Sequence, residues 1–289
     1  MTAQRIVVVG DVMTDIVAAL SGPVARGSDT AARVVQRGGG AGANVAVWLA
    51  RAGAAVTLIA RVGDDAAGRD ALAGLGAEGV DARLAIDPAR PTGTCVVLVE
   101  PSGERSMLPD AGANAGLEAV RLPDDTVHLH LAGYALLHAG SRPAARALLA
   151  AARAAGASVS VDPSSAAPLQ RGGAPAFLEW VDGIDLLLPN RDEAAVLTGM
   201  PDPKAAARAL AARVREVAVK LGAQGALWTD GERQLRARAV DVLVTDTTGA
   251  GDAFAAGLLA ARMAGADPAD ALGAGCALAA EAVARPGGR

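Results

Sequence analysis

Short aliphatic runs at residues 6–9, 56–60, 127–131, 158–161, 186–188, 216–220 and 226–228 alternate with alanine-rich stretches at 43–52, 66–75, 142–155 and 205–213. Strands joined by helix-length crossovers pair in parallel, and a parallel sheet has to be covered by helices on both faces. The pattern predicts an α/β fold built on a mainly parallel central sheet. Hydrophobic residues make up 52% of the chain but aromatic residues only 2%. The layers must therefore pack closely on Ala, Val and Leu. Open sheets of this kind bind ligands beyond the carboxyl ends of their strands. Asp11, Asp15, Asp162, Asn190 and Gly222 each follow a strand-like run at that end.

Three segments break the alternation. Residues 16–20, 32–37 and 94–100, the last followed by a Ser102-Gly103-Glu104 turn, read as short antiparallel strands and a hairpin. They suggest one domain over residues 1–289 with lid segments at about 12–37 and 92–108. A lid keeps water away from a reaction that water would spoil.

Several function classes fall away on composition. A net charge of −4 argues against a nucleic-acid partner. Cys95 and Cys276 are too few and too far apart for a disulfide framework or a zinc site. His128 and His130 read as strand residues rather than metal ligands. The strand beginning near Arg5 leaves no room for a signal peptide, and no long apolar stretch suits a membrane, so a cytoplasmic protein is expected. No P-loop or protein-kinase signature is present, and the glycine cluster near Gly40 lacks the Gly-x-Gly-x-x-Gly spacing of a dinucleotide fold.

The densest chemistry lies in Asp246-Thr247-Thr248-Gly249-Ala250-Gly251-Asp252, which runs into an apolar helix start. The small residues let the backbone turn tightly and aim N–H groups one way, and free N–H groups at a helix N-terminus attract anions. Asp252 is then either an ordinary helix cap or a base for a hydroxyl attacking a bound phosphate. A second cluster, Gly38-Gly39-Gly40-Ala41-Gly42-Ala43-Asn44, opens another helix. Asn190-Arg191-Asp192-Glu193 reads as a helix cap or a magnesium-associated site, because Glu suits a hydrated magnesium ion better than a phosphate. Lys220-Leu221-Gly222-Ala223-Gln224-Gly225 reads as a loop that lets backbone approach a nucleotide. Lys204 and Lys220 are the only lysines.

The two glycine clusters, with Asp15, Asn190 to Glu193 and Lys220 to Gly225 in that chain order, resemble the signature regions of the ribokinase-like PfkB family of carbohydrate kinases. The resemblance spans nearly the whole chain. It implies a ribokinase-like α/β fold with a β-lid, often a homodimer through that lid, and ATP and Mg2+ as cofactors. It implies Asp252 as base and the N–H groups of Gly249, Ala250 and Gly251 as the anion hole. Asp11, Asp15, Gly39, Gly40 and Asn44 would face the substrate. Asn190, Glu193, Lys220, Gly222 and Gly225 would face the nucleotide, Glu193 reaching magnesium through water. Gly275 would line the adenine pocket or simply pack helices. Asp246 and Thr248, with backbone near Ala282, Arg285 and Gly287, would hold a monovalent cation such as K+, although the sequence given stops at Arg289 and any later ligand would be missing. Arg105, in the lid hairpin, reads as an exposed arginine or as a partner for a substrate carboxylate.

Departures from true ribokinases point away from ribose. Met13 stands where they have Asn, Ala41 where they have Lys, and Leu131-Ala132-Gly133-Tyr134 lacks their acidic sugar contact. The acceptor is expected to be another small sugar or sugar-like molecule, with a nucleoside as the alternative. A non-catalytic sugar or nucleotide sensor is the rival from another class.

Overall fold

A computed structural model describes residues 4–285 and 287–289. In chain order the first half forms β1 (Arg5–Val9), β2 (Met13–Leu20), β3 (Ala32–Gly39), α1 (Ala41–Arg51), β4 (Ala55–Gly63), α2 (Ala66–Ala77), β5 (Asp81–Asp87), β6 (Gly93–Val99) and β7 (Arg105–Asp110). Next come β8 (Thr126–Ala132), α3 (Tyr134–Leu137), α4 (Arg142–Ala154), β9 (Ser158–Asp162), α5 (Ala166–Gly172), α6 (Ala174–Trp180), β10 (Leu186–Leu187), α7 (Arg191–Thr198) and α8 (Pro203–Ala211). The chain closes with β11 (Glu216–Lys220), β12 (Ala226–Thr229), β13 (Gln234–Ala237), α9 (Ala250–Met263) and α10 (Pro268–Val283).

The large sheet runs β13-β12-β11-β10-β9-β8-β1-β4-β5. All its pairs are parallel except the β11–β12 and β12–β13 hairpins at one edge. Alternate residues of each strand feed two separate cores. Val7, Val9, Leu129, Leu131, Val159 and Val161 pack against helices α3 to α8 on one face. Ile6, Val8, Val56 and Leu58 pack against α1, α2, α9 and α10 on the other. Complete burial of β-branched strand residues on both faces is what a parallel sheet demands. His128 and His130 share one face and hydrogen-bond Ser158 and Ser160 across β8 and β9. Burial pushes both imidazoles down to about 3, so they stay neutral.

The small sheet has the order β3-β2-β6-β7. It differs from the sequence expectation in one respect, since β6 runs parallel to β2 while the β2–β3 and β6–β7 pairs are antiparallel. The reason is topological. β1 and β5 are parallel strands of one sheet, so their continuations β2 and β6 leave it at the same end in the same direction. Asp15 accordingly sits inside β2 and not in a loop after β1. Residue 12, at the passage between the sheets, is pinned by Asn114, which accepts from Val12 N at 3.0 Å and donates to Val12 O at 2.8 Å.

Candidate active site

Two helix N-termini, those of α1 and α9, meet beyond the carboxyl end of β1. α2, α8 and α10 are each capped by their own aspartate, Asp65, Asp202 and Asp267. α9 has no side-chain cap. It starts from Gly249 in the left-handed region, φ 74°, where a side chain would also run into Gly288 of the C-terminal segment. The N–H groups of Gly249, Gly251 and Asp252 meet no acceptor among the described residues, whereas Ala250 N–H closes a long 3.4 Å bond to Thr247 O. Two of the three expected anion-hole donors, Gly249 and Gly251, thus meet no acceptor among the described residues, the third, Ala250 N–H, is weakly engaged, and Asp252 N–H is a further candidate donor.

α1 approaches β1 so closely that a Cβ on Gly42 would lie 2.6 Å from Gly10 Cα. That contact delivers Asn44, on the first turn of α1, to the start of α9, where its Nδ2 donates to Asp252 Oδ2 at 2.8 Å. Asn44 Oδ1 is buried and has no partner among the described residues. Loss of hydration pushes the Asp252 carboxyl up to about 8; the Asn44 hydrogen bond and Lys220 pull the other way, while Asp162 and Asp11 add to the rise.

Lys220, at the end of β11, forms an ion pair with Asp162 at the end of β9. Burial opposes the charge on Lys220, but Asp162 and Glu193 more than offset it and hold the ammonium above its ordinary range. Its Nζ faces the catalytic turn, about the distance of a van der Waals contact from where a Cβ on Gly251 would stand. The ammonium is thus available to a phosphate bound at the start of α9.

Asn190 and Glu193 form a complete capping box. Asn190 Oδ1 accepts from Glu193 N at 2.8 Å, and the two Glu193 oxygens accept from Asn190 N and Nδ2 at 2.7 and 2.8 Å. Glu193 is only 1% exposed, and burial raises its carboxyl to about 7 despite the nearby Lys220. Each oxygen keeps a further lone pair, but with Glu193 this deeply buried the geometry supports the capping half of the sequence expectation. Gly225 is fixed by sterics, since a side chain there would strike the backbone of β13. Gly222 and Gly225 close the turn between β11 and β12 through Gly225 N to Gly222 O at 2.9 Å. Gly275 packs against the Phe254 ring, 2.9 Å from where its Cβ would be. It thus serves the α9–α10 contact, the packing half of the sequence expectation.

On the lid side, Asp15 is 9% exposed and lies against Gly39 at a distance no Cβ would permit. Burial and the neighbouring Asp11 charge raise its carboxyl to about 6, with Arg289 acting in the opposite sense. Gly40 adopts φ 94° with Asp11 O close by. Asp11 was expected to face the substrate, but its oxygens accept from Ala41 N and Gly42 N at 3.2 and 3.3 Å and so cap α1. Sequence reasoning missed Gly288 and Arg289 of the C-terminal segment, where Gly288 O accepts from Trp48 Nε1 at 2.9 Å and Arg289 lies over Gly38.

Arg105 is neither exposed at the hairpin nor free for a substrate carboxylate. Its guanidinium pairs with Asp246 Oδ1 at 2.7 Å and donates to the hydroxyls of Thr248 at 2.7 Å and Thr247 at 3.2 Å. The guanidinium therefore stands on the Asp246 and Thr248 oxygens that a monovalent cation would need. Asp246 also accepts from Thr248 N at 2.8 Å and Gly287 N at 2.9 Å, and Ala282 O accepts from Arg285 N at 3.1 Å. With Arg105 in place these residues do not fit a bound monovalent cation, which needs several oxygens with free lone pairs to replace its hydration shell.

Residues 3–289 match the family described as pfkB family carbohydrate kinase. The chain is 35% identical over 272 residues to the fructokinase of Klebsiella pneumoniae, covering 89% of this chain and 83% of that one. In three dimensions it is similar to the adenosine kinase of Sinorhizobium meliloti, with TM-score 0.89, 25% identity and coverage of 100% and 96%. It is also similar to the fructokinase of Vibrio cholerae O395 solved with fructose, ADP and calcium ion, with TM-score 0.83, 28% identity and coverage of 100% and 95%. No helix among the described residues is long and apolar enough to cross a membrane.

Proposed function

The chain belongs to the pfkB family of carbohydrate kinases, and from that premise we propose that it transfers the terminal phosphoryl group of ATP to a primary, exocyclic hydroxyl of a small sugar or sugar-like acceptor. The observation that carries this is the Asn44–Asp252 pair with its orphaned acceptor. A polyol satisfies both groups at once, one hydroxyl donating to Asn44 Oδ1 while its neighbour gives up its proton to Asp252. The deprotonated oxygen attacks the terminal phosphorus, the bond to ADP breaks, and the N–H groups of Gly249, Gly251 and Asp252 receive the charge on the transferring oxygens. Lys220 supports the same phosphate, and Gly222 with Gly225 keeps the adjoining loop close to the nucleotide. Magnesium would arrive on the nucleotide phosphates and offset their charge, since no cluster of three or more His, Cys, Asp or Glu side chains forms a metal site among the described residues.

Asp252 must be ionised to act. Its raised carboxyl predicts that kcat/KM climbs with pH to a midpoint near 8. The linked stability runs the other way. Between the ordinary value of 3.8 and about 8 the folded state holds a proton that the unfolded state has lost, so this group's contribution falls as pH rises through that window. A pH–rate profile flat from 6 to 9 would count against Asp252 as base.

The activity is tested by magnesium-dependent ADP release across pentoses, hexoses, sugar acids, sugar phosphates and nucleosides. Turnover with one sugar class supports the assignment. Turnover confined to nucleosides would favour the second reading, which draws on buried Met13 and half-buried Tyr134 as a base-contacting surface and on the similarity to an adenosine kinase. Silence throughout, with ATP still bound, would favour a sensor. Val34, Met107 and Leu108, each more than half exposed on the small sheet, are consistent with a homodimer through the lid.

A further inference from the structure

The turn that feeds α9 carries a negative charge that needs a counter-charge. Asp246 is largely enclosed, its side chain 19% exposed, and it holds the backbone of Thr248 on one side and Gly287 on the other. Through these two bonds one carboxylate fixes the segment between Asp246 and Gly249, whose end sets the direction of the free N–H groups of Gly251 and Asp252. The counter-charge comes from the lid. Arg105, the first residue of β7, reaches the turn with two guanidinium nitrogens, one on Asp246 and one on the Thr247 and Thr248 hydroxyls.

We propose that Arg105 is a tethered cation, supplied by the lid, that orders the anion-hole turn in place of a free monovalent ion. A guanidinium remains charged at every accessible pH and offers a planar fork of donors, so it satisfies a carboxylate and a hydroxyl together. A free ion is present whatever the lid does, whereas Arg105 is present only when β6 and β7 lie over the site. The anion hole is therefore completed by lid closure, which couples acceptor binding to assembly of the phosphoryl-transfer machinery and limits futile transfer to water. This deepens the kinase assignment above and rests on it for its catalytic consequence, while the cation exchange itself does not depend on turnover.

The test compares the wild-type chain with Arg105→Ala and Arg105→Lys in potassium chloride and in tetramethylammonium chloride at equal ionic strength. Three readouts are taken: initial rate, melting temperature without substrate, and amide hydrogen exchange over residues 246–252. The expected wild type is indifferent to potassium in all three. Arg105→Ala should lose at least about tenfold in kcat without potassium, the scale of a disturbed anion hole. It should exchange its 246–252 amides faster, and potassium should restore rate, melting temperature and protection in part. Arg105→Lys should lie between the two. Potassium activation of the wild type by tenfold, or an alanine variant whose melting temperature and exchange ignore potassium, would overturn the proposal. If no acceptor is turned over, the melting and exchange arms still decide it, because a failed kinase assignment silences only the rate.

Discussion

Asp252→Asn should lower kcat by about a thousandfold while leaving ATP binding unchanged, because a positioned base contributes roughly 10²–10⁴-fold and an amide cannot take the acceptor's proton. The substitution is nearly isosteric, and Asn44 Nδ2 keeps an oxygen to donate to at the position of Asp252 Oδ2. Its effect on stability should have the opposite sign. Burial raises the Asp252 carboxyl to about 8, so above that pH the native protein carries a charge its surroundings disfavour, and an uncharged amide removes that cost. The variant should therefore melt higher than the wild type at pH 9 and show a smaller gain at pH 6. A catalytic group that costs stability is common where function sets the local chemistry. Single-turnover rates and melting curves at the two pH values check both halves. Retention of turnover within tenfold of wild type would remove Asp252 from the role of base.

The same residue shows what a sequence can and cannot disclose. The parallel core was legible because its strands alternate with alanine-rich helices, and because two-faced burial leaves an aliphatic imprint on each strand, as in residues 6–9. The two glycine clusters were legible because tight turns and close approaches tolerate few other residues. The pairing of Asn44 with Asp252 across 208 positions depends on where the fold brings α1 and α9, and no local pattern encodes it. Arg105 shows the same limit more sharply. In sequence it is one charged residue on a hairpin, and its partner lies 141 positions away, past most of the central sheet. The two readings of Glu193 stayed together in the sequence for another reason. Asn-x-x-Glu supports both a capping box and an ion site, and only the burial of both carboxylate oxygens separates them. Gly275 is a similar case, since a glycine required by a crossing helix and one required by a ligand look alike until Phe254 is seen against it.

Lys220→Met should destabilise the protein by about 3–5 kcal/mol, the usual cost of removing one partner from a buried ion pair. The Lys220 and Asp162 side chains are only 13% and 9% exposed, so the abandoned Asp162 carboxylate has little water to turn to. It also lies near Glu193 and Asp252, whose carboxyls are already raised and partly held down by Lys220. Removing the ammonium should move the Asp252 titration, and with it the rising limb of the pH–rate profile, to still higher pH. Loss of stability and loss of function have separable causes here. Replacing both partners, Lys220→Met with Asp162→Asn, removes the stranded charge and should recover most of the stability in a double-mutant cycle. It should not recover turnover, because the ammonium beside Gly251 is gone in both variants and the charge on the transferring phosphoryl group has lost its nearest side-chain cation. Chemical denaturation and kcat measured on the four proteins of the cycle distinguish the outcomes. A single variant as stable as wild type would mean that the pair contributes nothing net to folding. A double variant that regains full turnover would confine Lys220 to holding the ends of β9 and β11 together.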